Sequence, residues 1–152
     1  KKSLKLNKFN LHDNEIEFAC MFKVSALRDI NGYDENLGVN SAGRWGSGEG
    51  NDLLHRLLKK NYNGFYYHDL FAFHPWISMD INKPKEFEKM KSYSRGFGKS
   101  LGKNMFNPYG FFLAIKPIFK LPISIITFNS NDTIIRVNKI CSNLEGFFSF
   151  EK

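Results

Sequence analysis

Cysteine is scarce in this chain: Cys20 and Cys141 stand far apart among 152 residues, with no Cys-x-x-Cys pair and no ligand-like spacing. That spacing argues against a disulfide scaffold or a cysteine-based metal site and reads as two buried thiols of a reducing compartment. Long hydrophobic runs are missing too. No uninterrupted apolar stretch reaches the roughly 18 residues that cross a bilayer. The nearest, 106–128, is broken by Pro108, Lys116, Pro117, Lys120 and Pro122, and reads as a segment lying at a membrane interface or as short core helices separated by prolines. There is no internal repeat and no low-complexity segment. Neither an initiating methionine nor a signal-peptide pattern is present, and the opening Lys1-Lys2-Ser3 reads as the cut end of a longer protein.

What the chain has in quantity is phenylalanine and positive charge. Sixteen Phe residues and a net charge of +7 point to an ample core and an anionic partner, whether nucleic acid, a phosphorylated substrate or an anionic membrane surface. A length of 152 residues suits one domain or part of a larger one.

Between 41 and 58 the sequence reads S-A-G-R-W-G-S-G-E-G-N-D-L-L-H-R-L-L. Glycines at 43, 46, 48 and 50 allow backbone turns closed to other residues and close approach to a ligand. Asn51 is a candidate N-cap. Leu53, Leu54, Leu57 and Leu58 give the following helix an apolar face, with Asp52, Arg56, Lys59 and Lys60 falling away from it. Glu49 and Asp52 then lie within one turn of a helix start, where free N–H groups favour ionised carboxylates, the form a general base requires. Trp45, flanked by polar and glycine residues, is a candidate platform for a sugar ring.

Around this loop, Glu-Phe-Ala-Cys-Met-Phe-Lys-Val over 17–24 has the length of a buried strand. Ser25 caps a brief helix that Asn31-Gly32 ends, and 33–38 is a turn. After a turn at 61–64, residues 65–67 and 70–73 read as strands ending at His74-Pro75. From Pro84 a helical pattern places Phe87, Met90 and Tyr93 on one face, with Arg95-Gly96-Phe97-Gly98-Lys99 as an interruption or a kink. A loop at 129–132 precedes a helix over 133–148 with Ile134, Val137, Cys141 and Leu144 at helical spacing.

The order of these pieces, a buried strand, A-L-R-D-I-N-G-Y-D-E-N-L-G, a Gly/Trp loop with acids, a leucine helix and an aromatic strand ending in His-Pro, resembles the C-terminal half of inverting glycosyltransferases with the GT-A fold. The similarity covers residues 16–76. The loop and helix look like that family's W-G-x-E-D-x-D-L motif, found in the galactosyltransferase C-terminal region and in family-two bacterial enzymes. Glu49 matches the first acid and Asp52 the last. Gly50 stands where the second acid would be, and Ser47 is inserted.

The resemblance implies an α/β fold: an acceptor-side half-domain over 1–80, itself an α+β fragment, followed by a helical, basic and aromatic extension over 81–152. It implies that Glu49 is the base that deprotonates an acceptor hydroxyl, with Asp52 as hydrogen-bond partner or helix cap, while Trp45, Gly46 and Gly48 shape the acceptor subsite. His74 matches a ligand of the divalent cation, Mn²⁺ or Mg²⁺, that bridges the donor pyrophosphate; Arg95 and Lys99 are candidates for the donor phosphates. The family's nucleotide-binding half carries an Asp-x-Asp motif, which is absent from these residues. The expectation is therefore a fragment, inactive by itself, of an enzyme that moves sugar from a nucleotide-diphospho-sugar to a glycan or lipid-linked acceptor in bacterial-type surface polysaccharide or lipopolysaccharide synthesis. Its expected location is cytoplasmic, peripheral on the inner face of the cell membrane, without nucleic acid. The alternative from the charge and aromatics is a non-enzymatic module that binds nucleic acid or a membrane surface.

Overall fold

A computed structural model describes residues 2–13, 19–39, 41, 44–70, 72–73 and 80–149. Helix dominates, with one two-stranded antiparallel sheet, so the chain is α/β only in the loose sense. It divides into two compact units, 1–34 with 50–77, and 35–49 with 78–152.

In the first unit, β1 (Leu4–Lys5) pairs with β2 (Phe65–Tyr66), Leu4 opposite Tyr66. Helix α1 (Val24–Asp29) and all but the first residue of α2 (Glu49–Lys59) supply its core, Ala26 and Ile30 against Leu53 and Leu57, with Phe22, Leu27 and Tyr62 packed around them. The leucine spacing of α2 therefore does what it predicts. Asn31 and Gly32 end α1 with φ of 59° and 66°, and the Gly32 N–H donates to Leu27 O at 2.8 Å, closing the last turn as the Asn-Gly pair predicts.

Other local expectations fail. Of the strand over 17–24, residues 17 and 18 lie outside the described residues, 20–23 are not strand, and Val24 already begins α1. The N-cap of that helix is Lys23, not Ser25. Of the aromatic strands expected over 65–67 and 70–73, Phe65–Tyr66 forms, residues 67, 70, 72 and 73 are not strand, and 71 lies outside the described residues. Asn51 lies inside α2, where its side chain accepts from His12, so it is not the N-cap residue.

The second unit is built on α3 (Pro84–Asn104) and α6 (Ser130–Phe147). Helix α3 starts at Pro84, whose missing N–H is harmless in a first turn, and runs unbroken through 95–99. Between α3 and α6 come α4 (Pro108–Ile115), a 3₁₀ turn (Lys116–Lys120) and α5 (Leu121–Ile126). The prolines expected to break this stretch sit at the first or second position of each helical segment, so the segments join into one helix over Pro108–Ile126. Its length and mean hydropathy of 1.5 match those of a bilayer-crossing helix, contrary to the reading of the interrupted sequence. A core of Leu101, Met105, Leu113, Ala114 and Phe147 forms within this unit.

The face that α6 buries is also not the expected one. Ile134, Val137 and Cys141 are exposed, and Ser142, Asn143, Gly146 and Phe147 are buried. A Cβ added at Gly98 would strike the Asn143 backbone, and one at Gly146 the Arg95 carbonyl. Two helix backbones can approach this closely only where side chains are small, so size rather than hydropathy selects the buried face. Cys20 is half-buried and Cys141 exposed, so neither is the buried thiol that their isolation suggests.

Candidate functional site

The Gly/Trp loop belongs to the second unit and lies along α3. The Gly46 N–H donates to Ser92 O at 3.1 Å and to Ser92 Oγ at 3.0 Å, and Ser92 Oγ donates to Arg44 O at 3.0 Å. Ser47 Oγ donates to Tyr93 O at 2.7 Å. Gly48 adopts φ +97°, and a Cβ there would collide with the carbonyl of Gly96. At Gly46 an added Cβ would meet Ser92 Oγ at 2.5 Å. Gly46 and Gly48 are thus explained by close approach to a helix, where the sequence suggests close approach to a ligand.

The loop also closes on itself. The Gly38 N–H donates to Trp45 O at 2.8 Å, and a Cβ at Gly38 would lie 2.7 Å from Glu49 Oε1, so the Glu49 carboxylate packs over Gly38. Glu49 is the first residue of α2 and is half-buried. Trp45, half-buried as well, has the Arg44 guanidinium 4.9 Å and Lys99 Nζ 5.3 Å from its ring centroid. Trp45 and Glu49 are therefore held in one loop on one support.

The two basic candidates serve the fold. Lys99 is buried, and its Nζ donates to Ser149 O at 2.8 Å beyond the end of α6. Arg95 is mostly covered, with Glu145 at 4.0 Å, Glu88 at 3.9 Å and Arg44 O at 3.4 Å from its guanidinium. Neither is a solvent-facing phosphate clamp.

Asp52 is corrected as well. Expected on the outer face of α2, it is fully buried, with Arg56 Nε donating to Oδ2 at 2.7 Å. The same guanidinium donates to Ile30 O and Gly32 O, both at 2.7 Å, capping the carbonyl end of α1 with positive charge. Asp52 orients the arginine that locks α1 onto α2. His74 lies outside the described residues. Among the described residues no three His, Cys, Asp or Glu side chains converge as a cation site.

A constellation invisible in the sequence lies in the first unit. His12 Nδ1 is 2.8 Å from Asn51 Oδ1, and its Nε2 is 3.1 Å from His55 Nε2. An amide oxygen can only accept, so His12 carries its proton on Nδ1 and accepts from the His55 Nε2–H. His55 is 3% exposed. Burial first, then the His12 and Lys59 charges, push its pKa down to about 4, with Asp52 opposing. His12 and His55 are 43 residues apart, and no local pattern links them.

The first unit also holds a cavity of about 570 Å³, with Leu11, Leu54, Leu57, Phe65 and Tyr62 among its walls. Among the described residues, no candidate site residue lines it.

A scan against protein-family models gives no match, and searches of curated proteins and of solved structures give none either.

Proposed function

We propose that this chain supplies the acceptor-side wall of an inverting glycosyltransferase, with Glu49 as the general base. The observation that supports the reading is the pairing of Trp45 and Glu49 in a loop anchored through its backbone to α3, which holds an aromatic platform and a carboxylate in fixed relation. A sugar ring stacked on the indole would present a hydroxyl to the Glu49 carboxylate. The carboxylate takes the proton, the oxygen attacks the anomeric carbon of a nucleotide-diphospho-sugar, and the nucleoside diphosphate departs from the opposite side with inversion.

Asp52, Arg95 and Lys99 receive no chemical role in this proposal, because their charges are engaged inside the units that contain them. A divalent cation belongs to it only through His74, and the roles of Trp45 and Glu49 do not depend on that ion. The acceptor is a glycan or a lipid-linked glycan of a bacterial-type surface polysaccharide pathway.

The test is sugar transfer by the full-length gene product carrying Glu49→Gln, which keeps the size of the side chain. Loss of the general base should lower kcat by about 10²–10⁴-fold with the fold unchanged by circular dichroism. Transfer at the wild-type rate removes Glu49 from the mechanism.

A further inference from the structure

Beside its apolar core, the second unit buries several small polar residues and leaves large apolar ones outside. Its buried positions include Ser94, Ser100, Ser124, Ser142 and Asn143, while Phe119, Ile123, Ile126 and Phe128 are exposed by 60%, 62%, 75% and 94%. Single exposed apolar residues are ordinary, but these recur along one element. Within the Pro108–Ile126 helix, Leu113, Ala114 and Ser124 are buried while Phe111, Phe112, Ile118 and Ile125 are exposed. Only 22% of its apolar window is buried. A helix apolar on its covered and uncovered sides alike suits a surrounding that is itself apolar.

Charge identifies the occupant. From Lys89 to Asn131 the sequence contains seven Lys or Arg residues and no acid. Lys116 and Lys120, one turn apart in the exposed helix, both face solvent. A second copy docking by the same face would set these lysines against their own kind. An anionic headgroup layer would neutralise them while the hydrocarbon boundary takes up the phenylalanines and isoleucines.

Depth follows from α6, which packs against α4, the 3₁₀ turn and α5 and carries Asp132, Arg136, Lys139 and Glu145. Driving the Pro108–Ile126 helix across a bilayer would pull those charges into hydrocarbon, which is costly. We infer that the exposed face of the Pro108–Ile126 helix inserts flat into the interface of an anionic lipid bilayer, with Lys116 and Lys120 at headgroup level and α6 above it on the aqueous side.

The inference is independent of sugar transfer and is tested without it. The whole chain is co-sedimented with vesicles of phosphatidylcholine alone and of phosphatidylcholine mixed with phosphatidylglycerol. Expected are preferential, salt-sensitive binding to the anionic vesicles and at least about tenfold weaker binding for the Phe119→Asp/Ile123→Asp variant, whose sites are exposed in the fold. The Lys116→Gln/Lys120→Gln variant should lose the preference for anionic lipid and keep its circular dichroism spectrum. Equal binding to both vesicle types, no binding, or a Phe119/Ile123 variant that binds like wild type overturns the inference. So does sedimentation equilibrium showing that the variant instead dissolves a dimer. Resistance of the bound protein to alkaline carbonate extraction overturns the flat placement.

Discussion

Acid should destabilise the first unit through one side chain, His55. Its pKa falls from 6.5 to about 4, chiefly through burial, with the facing His12 adding to the effect. An unfolded chain takes up a proton here near pH 6.5, whereas the folded chain resists until about pH 4. Between those values the unfolded state binds more protons, so stability is full above the unfolded pKa and is lost as pH falls towards 4, after which this group contributes no further change. A depression of about 2.5 pH units, at about 1.4 kcal/mol each, amounts to about 3–4 kcal/mol, a large share of the stability of a small domain. Two measurements check this. The His55 ring-proton NMR resonance should titrate well below pH 6, and urea denaturation followed by circular dichroism between pH 7.5 and pH 4 should show a pH dependence that His55→Gln largely removes. Ionisable groups that do not touch His55 act equally in both proteins, so the difference in slope isolates the His12–His55 pair. Coincident slopes, or an NMR midpoint near 6.5, would refute the reasoning.

Gly48→Ala combines a positive φ with a collision against the Gly96 carbonyl, and should cost about 1–3 kcal/mol while lifting the loop from α3. A lowered melting temperature and a shifted Trp45 emission are expected, and no change in either would show that the loop is not held as described. Arg56→Met leaves the buried Asp52 carboxylate without its guanidinium and frees the end of α1, a loss of about 3 kcal/mol or more by urea denaturation. The double variant Arg56→Met/Asp52→Leu should recover part of that loss; if it is as unstable as the sum of the single changes, the pair is not coupled.

The legible parts of the fold are those with a local physical cause. Leucines spaced around α2 do form the core face, Asn31-Gly32 does end α1, and Pro84 does open α3. The candidate site was legible only as a set of residue types. The glycines marked a close approach without saying to what, and the partner turned out to be α3. Lys99 and Arg95 look like phosphate ligands in sequence because a positive charge gives no hint of the carbonyl or carboxylate already beside it.

By itself the sequence determined that Asn31-Gly32 ends one helix and Pro84 opens another, how much positive charge the chain carries and that a tryptophan and a glutamate share one loop, because each of these is a property of neighbouring residues. Only the tertiary structure decided that α6 buries Ser142, Asn143 and Gly146 and leaves Ile134 and Val137 outside, since how closely two backbones approach depends on side-chain size on both. It alone brought His12 to His55 and made a fully buried ion partner of Asp52. Those contacts join elements that are distant in the chain, or depend on which face of a helix another element covers, and no hydrophobic period records either.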